Sequence, residues 1–104
     1  MTAPRRANVA GLGLIGGSIA RALTERGWHV SGSDHVAGRP EQALERGYIA
    51  ALGLDPSAEI TFVATPVLSL GEQVQKALDA TSGVVTDVGS VKTSVAAAIT
   101  DPRF

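Results

Sequence analysis

The chain of 104 residues contains no cysteine, which excludes a disulfide framework and thiolate metal sites and leaves no cysteine usage from which to infer a redox compartment. Aromatic residues are scarce at 4%, against 12 glycines and a hydrophobic content of 44%. A core made from such residues is filled by Ala, Val, Leu and Ile, with many close backbone approaches, and that composition suits alternating strands and helices. Charge of one sign is missing too. Lys and Arg number 9 and Asp and Glu 10, giving a formal net charge of −1 and a pI near 6.0. This balance supplies no long-range pull toward nucleic acid or an anionic membrane, and the basic residues are scattered apart from Arg5-Arg6. No apolar run is long enough to cross a bilayer. The opening six residues are too short and polar for a secretory signal, and the apolar stretch behind them is too rich in glycine. His, Asp and Glu show no metal-ligand spacing, so no metal is expected. What remains is one small cytoplasmic domain with no nucleic-acid or membrane partner.

The residues that are present alternate between two periods. Ala7 to Ala10 is a short apolar run ending at Gly11, a buried strand, after which Ile15, Ile19, Ala22 and Leu23 fall on one helical face until Gly27. On that pattern Ser18, Arg21, Thr24 and Glu25 face outward. A second strand is expected from Trp28 to Ser33 with Asp34 at its carboxyl end, and Pro40 introduces a short helix from Glu41 to Arg46 before Gly47. Between Tyr48 and Ala58 the pattern is poor, and a third strand there is only a guess. Ile60 to Ala64 reads as a strand. Thr65-Pro66 then offers an N-cap and a first-turn proline to a helix with Val67, Leu70, Val74 and Leu78 inward. Val84 to Asp87 is a further strand, Val88-Gly89 its exit, and Ser90 caps a last helix with Val91, Val95, Ala98 and Ile99 on one side. Strands alternating with helices imply right-handed crossovers and a parallel sheet.

Gly11-Leu12-Gly13-Leu14-Ile15-Gly16 lies between the first strand and the first helix. This is the G-x-G-x-x-G pattern of dinucleotide binding. The first glycine permits the tight turn, the second leaves no Cβ between backbone and diphosphate, the third lets helix and strand pack closely, and the helix amino end offers unpaired N–H groups to the anion. Asp34 stands 18 residues after Gly16, where the fold places a carboxylate for the adenine-ribose hydroxyls. Such a carboxylate repels a 2′-phosphate, so NAD is preferred over NADP. His35 and Arg39 soften that preference only slightly and otherwise read as exposed loop residues. The expectation is therefore an α/β fold, a Rossmann-type doubly wound parallel sheet truncated after about five strands. Residues 6–104 form the dinucleotide-binding domain behind a flexible leader of residues 1–5.

In a parallel sheet Ala64-Thr65-Pro66 and Gly89-Ser90 open on the same carboxyl edge, where the nicotinamide end of the cofactor passes; helix capping is an equally good account of Thr65 and Ser90. The expected cofactor contacts are thus Gly11, Leu12, Gly13, Leu14, Ile15, Gly16, Asp34, Ala64, Thr65 and Pro66. Asp87 and Lys92 are the remaining charges nearby, more simply solvated than functional. His29 belongs to a strand start and His35 to the adenosine end, so neither qualifies as a catalytic base.

Three segments in order, Gly11-Leu12-Gly13-Leu14-Ile15-Gly16-Gly17-Ser18, Ala64-Thr65-Pro66-Val67 and Thr86-Asp87-Val88-Gly89-Ser90-Val91-Lys92, resemble the amino-terminal domain of prephenate dehydrogenases and their arogenate-using relatives. The resemblance implies oxidative decarboxylation of prephenate to 4-hydroxyphenylpyruvate in tyrosine synthesis, a homodimeric full-length enzyme, and a catalytic positioning role for Ser90. In the family a histidine within His-Pro-x-x-Gly takes the hydroxyl proton. Neither His29 nor His35 matches it, and the family's helical dimerisation domain, which completes the substrate pocket, is not among these residues. A positioned general base contributes roughly 10²–10⁴-fold. The 104 residues alone are therefore expected to bind NAD weakly and turn over prephenate negligibly. A β-hydroxyacid-dehydrogenase or imine-reductase type cofactor domain, or a non-catalytic NAD-binding module, are the other readings.

Overall fold

The computed structural model describes residues 3–65, 67–88 and 102–104. Its elements run β1 (Arg6–Ala10), α1 (Leu14–Glu25), β2 (His29–Ser33), α2 (Arg39–Glu45), β3 (Ala51–Leu52), β4 (Ile60–Val63), α3 (Val67–Ala80) and β5 (Val84–Asp87). The strands pair in parallel in the order β3-β2-β1-β4-β5. This is a Rossmann-like α/β sheet, as the alternating periods predict. β1 takes the centre because Ala7 to Ala10 are all buried, a continuous run suited to a strand covered on both faces.

Successive strand residues point to opposite faces, and two apolar clusters follow from that. On one side Val9, Val30 and Ile49 pack with Ala20 of α1 and Ala43 of α2; on the other Val63 and Val85 pack with Leu70, Val74, Ala77 and Leu78 of α3, with Phe104 against them. Asn8 is a buried polar residue of the central strand. Its amide donates to the Asp55 carbonyl at 3.0 Å and to Thr61 Oγ1 at 3.1 Å, and it accepts from the Asp55 N–H at 2.8 Å. The two bonds to Asp55 hold the poorly patterned stretch before β4 to the sheet, and the third joins β1 to β4.

Several local expectations are corrected. The packed face of α1 is Gly16 and Ala20, flanked by half-buried Ile19 and Leu23, whereas Ile15 and Ala22 are exposed. The cause is the closeness of helix to strand: a Cβ at Gly16 would stand 1.7 Å from the Gly11 carbonyl oxygen, so the smallest residues take the contact line and larger ones turn aside. Thr24 is half-buried rather than outward, its hydroxyl donating to the Tyr48 carbonyl at 2.7 Å. Trp28 precedes β2, packing on the α1 cluster with the Arg5 guanidinium 4.4 Å over its ring. α2 begins at Arg39, ahead of Pro40. The uncertain stretch does hold a strand, β3, of two residues. Pro66 and the predicted last helix with Val91, Val95, Ala98 and Ile99 lie outside the described residues.

Candidate functional site

Ala10 is in register with Ser33 on one side and Val63 on the other, and Val63 with Asp87, so the carboxyl ends of β1, β2, β4 and β5 are level. The residues that follow, Gly11, Asp34 and Ala64, therefore share one edge. Strand order reverses between β1 and β4, the crevice where open α/β sheets bind ligands. The Gly11 N–H donates to the Ser33 carbonyl at 2.7 Å, and the Ala64 N–H to that of Ala10 at 2.7 Å, stitching the three exits together.

The three fingerprint glycines have different reasons to be glycine. Gly11 has φ +96°, and a Cβ there would meet the Ala64 carbonyl oxygen at 2.6 Å; Gly16 is excluded from bearing a side chain by Gly11 itself. Gly13 is not constrained by the protein's own packing. A Cβ would meet only the tip of Arg39, at 3.7 Å, an ordinary contact. Gly13 is the N-cap of α1, has no side-chain cap bond, and is followed by a first turn without an acidic residue. The amino end of a 12-residue helix thus presents its N–H groups and positive dipole end uncompensated. Leu14 and Ile15 beside it are exposed.

Asp34 is buried to 2% side-chain exposure. Its Oδ2 accepts from the Leu12 N–H at 2.6 Å and from Arg39 at 3.3 Å, and its Oδ1 accepts from the Val36 N–H at 2.8 Å, with His35 Nδ1 3.5 Å away. Burial acts to raise the carboxyl, but the N–H groups of Val36 and Leu12 and the Arg39 guanidinium outweigh it and hold the group below the ordinary carboxylate value. Asp34 therefore braces the fingerprint loop from the end of β2, and Arg39 is its neighbour rather than a detached loop residue.

Asp34 lines a cavity of about 350 Å³ with Gly11, Ser33, His35 and Thr65 of the strand exits and Gln73 and Lys76 of α3. The Thr65 hydroxyl is buried and has no hydrogen-bond partner among the described residues, so the expected cap of α3 is not seen among them. An orphaned hydroxyl in the wall of this cavity fits a ligand that brings it a polar partner, and the free N–H groups at Gly13 fit a phosphate. A second cavity of similar volume opens between α1 and α2 beside Gly13, and Arg21, Arg39 and Arg46 line it. Gln73, Lys76, Arg21 and Arg46 were not signalled by the sequence motifs. The spacing of Gln73 and Lys76 by three residues, on the helix following a strand exit, is the sign that was available.

Among the described residues no three His, Asp or Glu side chains gather into a metal site. His29 sits at the start of β2, at the opposite end of the sheet, with Nδ1 buried and without a partner among the described residues. Pro66, Gly89, Ser90 and Lys92 lie outside the described residues. None of the described helices is long and apolar enough to cross a membrane.

Residues 19–102 match the sequence family described as prephenate dehydrogenase, nucleotide-binding domain. Among solved structures, the arogenate dehydrogenase of Synechocystis superposes with a TM-score of 0.79 at 36% identity, covering 94% of this chain and 36% of that one. The prephenate dehydrogenase of A. aeolicus, solved with hydroxyphenyl propionate and NAD+, gives a TM-score of 0.77 at 25% identity over 90% of this chain and 36% of that one. A shorter stretch of 66 residues, 64% of the chain, is 42% identical to part of the tRNA 5-methylaminomethyl-2-thiouridine biosynthesis bifunctional protein MnmC of Pseudomonas entomophila (strain L48), covering 10% of that protein. The chain thus spans about a third of the dehydrogenases it superposes on and a tenth of the curated relative.

Proposed function

The chain belongs to the family of prephenate dehydrogenase nucleotide-binding domains, and from that premise we propose that it holds NAD in the crevice between β1 and β4 as the cofactor half of an enzyme oxidising prephenate or arogenate. The observation that carries this is the open, uncapped amino end of α1 at Gly13, level with Asp34 on the same sheet edge. NAD, when bound, supplies the hydride acceptor. The chain's residues supply the rest of the binding. Gly11 and Leu12 shape the loop, the main-chain amides from Gly13 to Gly16 face the diphosphate, Asp34 accepts from the adenine-ribose hydroxyls, and Ala64, Thr65 and Pro66 border the path toward the nicotinamide.

In the whole enzyme Ser90 would position the substrate hydroxyl, in keeping with the resemblance of Asp87-Val88-Gly89-Ser90 to the family's segment. The assembled enzyme is proposed to be a cytoplasmic homodimer acting in tyrosine synthesis. A hydride leaves an alcohol carbon efficiently only when the hydroxyl proton is taken up, and neither His29 nor His35 is placed to do so. Within these residues binding is expected without appreciable turnover. The family match and the solved neighbours favour this over a β-hydroxyacid-dehydrogenase or imine-reductase assignment.

The test is calorimetric titration of the chain with NAD, then with prephenate or arogenate, alongside NADH formation. Saturable NAD binding that Gly13→Val abolishes, with negligible NADH formed, is the expected result. Absence of NAD binding even at millimolar concentration would sink the assignment of the site.

A further inference from the structure

We propose that Gln73 of α3 reads the base of the cofactor, so that this chain distinguishes an adenine dinucleotide from one whose purine carries an oxygen in place of the amino group. The proposal rests on the dinucleotide reading of the crevice and assigns the choice of base to a residue outside the glycine fingerprint.

The cavity of about 350 Å³ at the exits of β1, β2 and β4 has no aliphatic or phenyl side chain among the described residues of its wall. Ser33, Asp34, His35, Thr65, Gln73 and Lys76 line it beside Gly11, and every one of those six side chains is a hydrogen-bonding group. Ligand pockets are ordinarily lined in the main by apolar and aromatic groups, and a base stacked on such a wall is held by its face, which all bases share. Here the ring that the described residues offer is His35, 67% exposed. A base in this cavity is held by its edge, and the edge carries its identity.

The wall has two sides. β2 supplies Ser33 and Asp34, the side given to the adenine-ribose, and α3 supplies Gln73 and Lys76 to face the base that this ribose carries. Gln73 is half-buried, on the flank of the stripe in which Leu70, Val74 and Ala77 are buried. Its amide makes no hydrogen bond among the described residues, whereas that of the exposed Gln75 donates to Asp79 at 3.0 Å. A half-buried amide in a cavity wall, with donor and acceptor both free, is a group still to be satisfied. Lys76 lies one turn further along, exposed and without an ion pair among the described residues.

A primary amide sets an acceptor beside a donor, and adenine answers it with its N6 amino group beside N7. A 6-oxo purine presents two acceptors, O6 and N7, along the same edge, so one of them must face the Gln73 carbonyl. Lys76 has the opposite preference, because an ammonium only donates and adjacent acceptors suit it. Exposure separates the two. Gln73 gives up water when the base arrives and has to be matched, while Lys76 keeps its hydration at the mouth of the cavity.

The chain is titrated with NAD and with nicotinamide hypoxanthine dinucleotide, which carries O6 in place of the amino group, and with the shorter pair 5′-ADP and 5′-IDP. Gln73→Leu, Gln73→Glu and Lys76→Met are measured beside it. The wild type is expected to bind the adenine member of each pair about 5- to 20-fold more tightly. Gln73→Leu brings both ratios to within about twofold of unity, by weakening the adenine ligands, while melting near the wild-type temperature. Gln73→Glu keeps an acceptor for the amino group and so keeps the direction of the preference, and Lys76→Met keeps it too. Equal binding of the two dinucleotides by the wild type overturns the proposal, as does a ratio that Gln73→Leu leaves unchanged or that Lys76→Met removes. A preference present with the dinucleotides and absent with ADP and IDP also overturns it, because the shorter pair still carries the base. Failure of the underlying reading looks different, since then neither NAD nor ADP binds.

Discussion

The Leu12 N–H donates to Asp34 Oδ2 at 2.6 Å, so the glycine loop after β1 is held in place by the residue that ends β2. One carboxylate joins the two halves of the candidate site, and its ionisation is therefore tied to folding. The Asp34 carboxyl lies below its ordinary value because the N–H groups of Val36 and Leu12 and the Arg39 guanidinium overcome the opposing effect of burial. A group lowered in the folded state contributes stability that is present above its unfolded pKa, near 3.8, and is lost as pH falls through the folded pKa. Stability is therefore expected to fall as pH drops below the unfolded value and through the lower folded one. Asp55, lowered chiefly by the Ser57 hydroxyl, adds a loss of the same sign. Urea midpoints across this range check it: Asp34→Asn should flatten the acid limb without abolishing it, and an unchanged slope would show that Asp34 is not the coupled group.

Gly13 and Gly16 separate binding from folding. A methyl group at Gly16 would lie 1.7 Å from the Gly11 carbonyl oxygen, and one at Gly13 would make only an ordinary contact with Arg39. Gly16→Ala is predicted to destabilise by about 2–4 kcal/mol through forced displacement of α1 from β1. Gly13→Ala should leave the thermal midpoint nearly unchanged while lowering NAD affinity at least about tenfold, because the added carbon occupies space left for the diphosphate. Equal loss of stability in both variants would count against a ligand-facing role for Gly13.

The order of strands and helices was legible because each strand is a short apolar run followed by a helical period, and parallel topology follows from alternation. The turn at Gly11 and the close packing at Gly16 were legible for the same reason, whereas for Asp34 only its place at the end of β2 could be read, not its hold on the Leu12 N–H. The buried face of α1 was not. Counting Ile15 and Ala22 as inward treats hydrophobicity as decisive, whereas the approach of α1 to β1 is so close that glycine and alanine hold the line. Arg39 at Asp34 depends on how α2 returns to the sheet edge, which no local pattern encodes, and the spacing of Gln73 and Lys76 puts them on one face of α3 without showing that this face borders the cleft.

Asn8 was likewise invisible as a structural residue, being a polar residue inside the apolar run Ala7 to Ala10. It is fully buried and makes three hydrogen bonds, two of them to the Asp55 main chain. Asn8→Leu removes all three and leaves the Asp55 N–H and carbonyl without these partners, a cost of about 2–4 kcal/mol. Denaturant unfolding should show this, and hydrogen exchange should locate faster opening in the segment before β4. Uniformly unchanged exchange there would mean that Asn8 does not anchor it.

Thr65 distinguishes a capping residue from a ligand contact by the sign of one substitution. Were its hydroxyl the cap of α3, Thr65→Val would cost about 1 kcal/mol of stability. In the structure the hydroxyl is buried and has no partner among the described residues, in the wall of the cleft that Gly11 and Asp34 also line. An unsatisfied buried hydroxyl is unfavourable, and a near-isosteric valine removes it, so the free protein should gain roughly 0.5–1 kcal/mol. NAD affinity should move the other way, falling about 3- to 10-fold if the cofactor supplies the missing partner. Thermal melting of the free chain and calorimetry with NAD read the two effects separately. Opposite signs identify a group kept unsatisfied for its ligand, and a loss of stability on replacing Thr65 would return it to the role of a helix cap.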